Sequence, residues 1–229
     1  GVADPVTAEV AGNTVAKRLS SAGHRVVLCL VEGKGFDRPH ADDANVAFVS
    51  RALEESRSDA AIAVGAGTIN DLAKLASFER QIPYVAVPTA PSMNGFTSAI
   101  AAILREGVKR TVPCRQPCAV VADLDILSNA PLALARAGLG DLESKPTSTA
   151  DFRLAHWVCG SYYCGAPERV VFEAEARAAE AAEGIGRGDP ESVARLTEAL
   201  LASGVSMALA GTSAPASGGR KKTVSDRFS

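Results

Sequence analysis

A strand–turn–helix–strand–loop pattern over residues 64–98 constrains this chain more than any other feature. An apolar strand runs into Gly65-Ala66-Gly67-Thr68, a helix follows, and the next strand leads into a polar loop that begins Thr89-Ala90-Pro91-Ser92. Glycine lets backbone N–H groups approach an anion, and the positive end of the helix points at the same place. The two loops are predicted to lie side by side at one edge of a parallel sheet, which favours a cofactor site.

The first half of the chain alternates between strand and helix patterns. The apolar runs predict strands over residues 25–31, 59–64 and 83–87, and the periodicity predicts helices over residues 7–22, 42–58 and 68–77. Short strands are expected between residues 98 and 121, and the last strand of this half is expected over residues 118–122. Continuous apolar strands are typical of a parallel sheet covered by helices on both faces, so the pattern predicts an α/β nucleotide-binding domain with a mainly parallel sheet.

The second half changes to helical patterns. Helices are expected over residues 131–158, 167–183 and 190–210, with a turn at residues 184–189. We therefore divide the chain into a dinucleotide-binding α/β domain (residues 1–122), a partial all-helical domain (residues 123–210) and a polar tail (residues 211–229).

Composition narrows the classes of function. The net charge of −2 gives no electrostatic reason to expect nucleic acid or an anionic membrane as a partner. No run of about 18 apolar residues is present, so a membrane span is not expected. Five cysteines, an odd number in a chain of this length, fit reduced thiols and a cytoplasmic location better than a disulfide framework.

Several polar residues are candidates for chemistry. Asp71 is predicted on the first turn of the helix after the glycines, where it complements the helix dipole or anchors the loop. Asp141 follows Gly138 and Gly140 between two expected helices, and a carboxylate beside glycines can bind a cation or simply cap a helix. His156, Cys159 and Cys164 could form a zinc corner, but an amphipathic helix end with buried thiols is the favoured explanation.

Together these motifs resemble the glycerol-1-phosphate dehydrogenases, within the superfamily of iron-containing alcohol dehydrogenases, glycerol dehydrogenase and 3-dehydroquinate synthase. The resemblance rests on GAGTINDLAK, VPTAPSMNGFTS, ADLDIL and AGLGDLESK, and it reaches ASGG at residues 216–219. GDLESK favours the glycerol-1-phosphate branch, because the iron alcohol dehydrogenases place a histidine where Lys145 stands. The fold it implies is dehydroquinate synthase-like, with a helical domain after the nucleotide-binding domain.

The resemblance implies an oxidoreductase that transfers a hydride between glycerol 1-phosphate and NAD or NADP, with zinc or nickel polarising the alcohol oxygen. Asp4 would hold the adenosine ribose, and Asn94, Asp141 and Lys145 would lie by the phosphorylated polyol or ketone substrate. Asp141 would also be the catalytic metal ligand. The residues implied in cofactor binding are Asp4, Gly65, Ala66, Gly67, Thr68, Ile69, Asp71, Thr89, Ala90, Pro91, Ser92 and Ser98.

The chain departs from the family pattern after ASGG. The family continues with Glu-His, and this histidine is a metal ligand. This chain instead reads Arg220-Lys221-Lys222 and has no histidine after His156. The resemblance therefore implies a truncated member whose metal site is incomplete.

Three alternatives stay open: an active dehydrogenase, a catalytically inactive dinucleotide-binding relic, and another polyol or alcohol dehydrogenase or cyclase of the superfamily. The choice between NAD and NADP depends on residues near Asp4 and over residues 31–35, and self-association is also left open.

Overall fold

The computed structural model describes residues 1–33 and 38–217. By contacts the chain forms two units, Gly1–Ala90 with Ile100–Ala130, and Pro91–Ala99 with the chain from Pro131 onward. Our predicted boundary at residues 122 and 123 stays a prediction. Residues 34 and 35, which bear on the choice between NAD and NADP, and residues 218–229 of the predicted tail lie outside the described residues.

The first unit contains a parallel sheet and an antiparallel hairpin. Its elements in chain order are β1 (Val2–Ala3), α1 (Pro5–Thr7), a π-helical turn (Ala8–Gly12), α2 (Asn13–Ser21), β2 (Cys29–Leu30), α3 (Asp43–Glu55), β3 (Ala61–Gly65), α4 (Gly67–Glu79), β4 (Tyr84–Pro88), β5 (Ile100–Arg105), β6 (Val108–Pro113), β7 (Ala119–Val120) and α5 (Leu124–Ser128). Strands β2-β1-β3-β4-β7 form a five-stranded sheet in that order, and all of its pairings are parallel. The predicted mainly parallel α/β fold is confirmed.

Alternation along β3 and β4 explains why their sequences read as continuous apolar runs. Ala63 and Ala86 pack into one cluster with α3 and α4, whereas Val64 and Val87 pack into another with Ala8 of the π-helical turn. Successive side chains in a strand point to opposite faces, so a sheet covered on both sides needs apolar residues at every position.

Two local predictions were wrong in extent. The strand expected over residues 25–31 is reduced to β2, and the helix expected from residue 7 begins at Pro5. Asp4 caps this helix: its Oδ1 accepts the Thr7 N–H at 2.8 Å, and the Asp4 N–H donates to Thr7 Oγ1 at 3.0 Å. This reciprocal capping box, followed by proline at the first helical position, starts the helix before the apolar periodicity begins.

The second unit is helical in the part that the structure describes. It consists of a 3₁₀ turn (Gly95–Thr97), α6 (Leu132–Glu143), α7 (Lys145–Cys159), α8 (Gly165–Glu180), α9 (Ala182–Arg187), α10 (Pro190–Ala210) and α11 (Ala214–Ser217). Two expectations fail here. The turn predicted at residues 184–189 is largely α9, and Gly138, Gly140 and Asp141 lie inside α6 rather than between helices.

Helix α10 meets the length and composition of a membrane span, contrary to our expectation that no segment would. Of its most apolar window, 56% is buried within the fold. Its Leu196, Ala199 and Leu200 pack with Ala174 and Ala178 of α8 in the core of the helical unit. Burial in this core accounts for the apolar composition of α10.

The segment Pro91–Ala99 lies directly on α6 and α10, at glycines. A Cβ atom built at Gly138 would overlap the carbonyl oxygen of Pro91, and one at Gly204 would overlap Thr97 Oγ1 and the carbonyl oxygen of Asn94. Glycine in a helix interior is costly, so these two glycines are explained by close approach of a second backbone.

We expect Gly138→Ala to destabilise the protein, although alanine is the better helix former by about 1 kcal/mol. The new methyl group would press on a backbone carbonyl, which cannot rotate away, and overpacking of this kind costs about 1–3 kcal/mol. Urea unfolding of the variant measures the change in the free energy of unfolding.

Gly140→Ala is the matched control, because it lies in the same helix and a Cβ there meets nothing within 4 Å. It should stabilise by up to about 1 kcal/mol. Equal effects of the two substitutions would contradict the close approach of Pro91 to α6.

Candidate functional site

The glycine turn lies at the carboxyl edge of the parallel sheet, where β3 ends and α4 begins. Gly65 is the last residue of β3, Ala66 is extended, and Gly67 begins α4. A Cβ at Gly65 would stand 2.7 Å from the Cβ of Ile69, so glycine is needed here for the strand to meet the helix. The first N–H groups of α4 have no partner within the helix, so they are available to an anion.

The second predicted loop begins beside this turn. Gly65 pairs with Pro88 in the sheet, and the Thr89 N–H donates to the Gly65 carbonyl oxygen at 3.3 Å. Asp4 follows β1, which neighbours β3 in the same sheet. The structure thus brings Asp4, the residues of the glycine turn and Thr89 to one edge of the first unit, as expected for parallel strands.

Residues 91–98 of the predicted loop group with the helical unit instead. Ser98 is fully buried there, and its hydroxyl donates to the Gly95 carbonyl oxygen at 2.9 Å within the 3₁₀ turn. Thr97 Oγ1 donates to the carbonyl oxygen of Leu201 at 2.6 Å. The loop that looked uniform in sequence is therefore divided after Ala90, and the Thr97 side chain helps to hold its second part on α10.

The three predicted substrate residues lie together in the second unit. The Asn94 N–H donates to Asp141 Oδ2 at 2.8 Å, and Lys145 Nζ donates to Asp141 Oδ1 at 2.8 Å. Asn94 Nδ2 also donates to Ser203 Oγ at 3.1 Å. Lys145 is only 2% exposed, so its ammonium group is paired within the fold. Sequence reasoning missed Ser203, whose only signal was its place beside a glycine in a long helix.

A divalent metal does not fit the residues around Asp141 that the structure describes. Both carboxylate oxygens are engaged, one by an ammonium group and one by a backbone N–H. Over residues 1–33 and 38–217, no group of three His, Cys, Asp or Glu side chains is placed to hold a metal ion. At the alternative zinc corner, His156 Nδ1 lies 2.8 Å from the Ser161 carbonyl oxygen.

Asp71 lies deeper than expected. It is on the second turn of α4 rather than the first, is 8% exposed, and its Oδ2 accepts the Ala102 N–H at 3.0 Å. Lys74, fully buried, lies 3.9 Å from Asp71 Oδ1 and donates to the Ile100 carbonyl oxygen at 2.9 Å. The pair therefore fastens α4 to strand β5. Of the two roles that we expected for Asp71, it has the anchoring one, but the anchored segment is β5 rather than the glycine loop.

Burial dominates the electrostatics of this pair. It raises the pKa of Asp71 and lowers that of Lys74, while the attraction between the two opposes both changes. Burial also raises the pKa of the neighbouring Cys114 thiol to about 11 and raises the pKa of Tyr84. Both thiol and phenol are therefore neutral near pH 7, so neither balances the charge of Lys74, whereas the Asp71 carboxylate attracts it.

We expect Asp71→Ala to cost about 3–5 kcal/mol of unfolding free energy, because it leaves the Lys74 ammonium buried without its counter-ion. The double variant Asp71→Ala/Lys74→Met should be more stable than Asp71→Ala alone, since the uncompensated charge is then absent. Urea unfolding measures both. Glu79→Ala, an exposed change on the same helix, should stay within about 0.5 kcal/mol of the unsubstituted protein. A double variant less stable than the single one would contradict the ion pair.

Comparisons with known proteins show the family of this chain. The iron-containing alcohol dehydrogenase family matches residues 2–131. A relative from Geobacillus thermodenitrificans named glycerol-1-phosphate dehydrogenase [NAD(P)+] is 37% identical over 218 residues, 95% of this chain and 54% of the relative. One of the same name from Halalkalibacterium halodurans is 39% identical, with the same coverage of both chains.

A solved structure has the same fold. Glycerol dehydrogenase from Schizosaccharomyces pombe superposes with a TM-score of 0.75 at 22% identity, over 90% of this chain and 53% of that one. This chain spans about half the length of the curated relatives it matches. The family match covers the parallel sheet, the glycine turn and the hairpin, and on this ground the chain belongs to the iron-containing alcohol dehydrogenase family.

Proposed function

We propose that this chain binds NAD(P) at the carboxyl edge of its parallel sheet and serves a glycerol-1-phosphate dehydrogenase. The observation that carries the proposal is that α4 begins at Gly67, directly after the end of β3 and beside Thr89. The names of the relatives at 37% and 39% identity support the choice of cofactor and of substrate.

The pyrophosphate of the dinucleotide is the group that the glycine turn suits. A helix start carries about half a positive charge and unpaired N–H groups, which stabilise an anion without a basic side chain. The glycines keep side chains out of the way, and Gly65, Ala66, Gly67, Thr68 and Ile69 are the proposed cradle. Asp4 is the proposed contact to the adenosine ribose, since its capping hydrogen bond uses one of its two carboxylate oxygens.

The proposed reaction reduces dihydroxyacetone phosphate to glycerol 1-phosphate. A hydride passes from the nicotinamide of NAD(P)H to C2 of the ketone, and the ketone oxygen takes up a proton. The products are glycerol 1-phosphate and NAD(P)⁺. Thr89, Ala90, Pro91, Ser92 and Ser98 are the proposed contacts on the nicotinamide side. Asn94, Asp141 and Lys145 are the proposed substrate residues.

Zinc or nickel is the metal that the resemblance proposes, and the family description names iron. The described residues around Asp141 do not fit such an ion. A cytoplasmic location and self-association stay predictions.

The second candidate function is dinucleotide binding without turnover. It is favoured by the engagement of both Asp141 oxygens within the chain. One assay separates the two functions: oxidation of NADH or NADPH by dihydroxyacetone phosphate, with zinc or nickel added. Turnover that is lost in Asp141→Ala supports the dehydrogenase, and cofactor binding without turnover supports the binding module.

We expect Thr68→Asp to weaken binding of NADH or NADPH by at least about tenfold, because its carboxylate would repel the pyrophosphate at the start of α4. The same carboxylate should stabilise the fold by about 0.3–1 kcal/mol, since an acidic residue on the first turn complements the helix dipole. Titration of cofactor fluorescence measures the first effect, and thermal unfolding without cofactor measures the second.

Thr68→Asn is the matched control, with nearly the same shape and no charge, and should change the affinity by less than about threefold. The opposite signs expected for binding and stability separate loss of the site from loss of the fold. Equal affinities of the aspartate and asparagine variants would overturn the proposed pyrophosphate position.

A further inference from the structure

The surroundings of Asp141 already contain a cation. Asp141 lies in the last turns of α6, and Lys145 is the first residue of α7, four positions later. The Lys145 ammonium lies 2.8 Å from Asp141 Oδ1 and 3.5 Å from Ser144 Oγ, and its side chain is 2% exposed. A side chain this buried is held in place by the fold, unlike an ordinary surface ion pair.

The second oxygen of Asp141 holds a backbone. Oδ2 accepts the Asn94 N–H, and the same residue is held through its side chain by Ser203 of α10. Gly204, beside Ser203, makes room for the Asn94 carbonyl oxygen. Asp141 is therefore one of several contacts that fix the course of residues 91–99 on the helices.

A divalent ion at Asp141 would meet two obstacles. It would stand within a few ångströms of a buried ammonium group of the same sign, and it would compete with the Asn94 N–H for Asp141 Oδ2. Metal affinity rises with the number of preorganised ligands, and among the described residues Asp141 has no cluster of further ligands around it.

We propose that Lys145 fills the cation position at Asp141 in this chain, and that Asp141 is a positioning residue for the segment Pro91–Ala99 rather than a metal ligand. Lys145 supplies the positive charge that balances the carboxylate, and Asp141 joins that charge to the backbone of Asn94. This inference does not rest on dinucleotide binding, which the Thr68 variants test separately.

Equilibrium dialysis of the full chain against Zn²⁺ and Ni²⁺ tests the inference. Asp141→Asn keeps the shape and one acceptor oxygen, and it should leave the affinity for either metal within about twofold of the unsubstituted chain. Lys145→Met removes the competing charge, and it should raise the affinity for the metal about tenfold. The double variant Asp141→Asn/Lys145→Met should not show this increase. Glu143→Gln, an exposed change on α6, is the control and should alter neither.

Thermal unfolding in the presence of EDTA reports the positioning role without any metal. Asp141→Asn should lower the unfolding midpoint clearly more than Glu143→Gln, because it weakens the bonds to both Lys145 and Asn94. A stoichiometric metal site in the unsubstituted chain that Asp141→Asn weakens tenfold or more would overturn the inference. So would equal midpoints for these two variants.

A measurement on the unsubstituted chain keeps the inference testable if a variant does not fold. Acetylation of Lys145 by an amine-reactive reagent, followed by mass spectrometry, should be slow and unaffected by added Zn²⁺. Faster acetylation with Zn²⁺ would mean that the metal displaces Lys145 from Asp141, which contradicts the proposal.

Discussion

The docking of residues 91–99 onto α6 and α10 is the constraint on which the helical unit depends. Two glycines remove the side chains that would block the approach, and Asp141 and Ser203 supply hydrogen bonds at the contact. A backbone segment buried against helices must have its polar groups satisfied, because each unpaired buried group costs about 1–3 kcal/mol. Asn94 and Asp141, two of the proposed substrate residues, thus take part in the hydrogen bonds that hold this segment.

A second buried polar contact organises the first unit. Asp71 and Lys74 reach from α4 to the backbone of β5 at Ala102 and Ile100, immediately after the docked segment ends. The hairpin itself turns at Glu106 and Gly107, both with positive φ, as a two-residue loop of type I′ requires. The sequence motif that suggests phosphate binding therefore contains two kinds of residue: glycines at the turn where we propose that an anion binds, and a charged pair that fastens a neighbouring strand.

The parts that could be predicted from sequence are those set by local chemistry. Apolar runs predicted β3 and β4, and the glycines predicted the turn between β3 and α4. The early start at Pro5 was missed because it depends on the reciprocal bonds of Asp4 and Thr7 rather than on periodicity. Gly138 and Gly140 looked like a break between helices, since glycine is a poor helix former, but packing outweighs that preference of about 1 kcal/mol.

The sequence by itself determined the family, the parallel sheet and the glycine turn at the start of α4, because these follow from residue patterns over short distances. Only the tertiary structure decided the surroundings of Asp141. In sequence it is a carboxylate beside glycines, with the lysine four residues later as a separate candidate. In the fold, its two oxygens are divided between that lysine and the backbone of Asn94, which lies 47 positions earlier in the chain. The physical reason is that a carboxylate's partners are set by which groups packing brings within about 3 Å, and no local pattern records that distance.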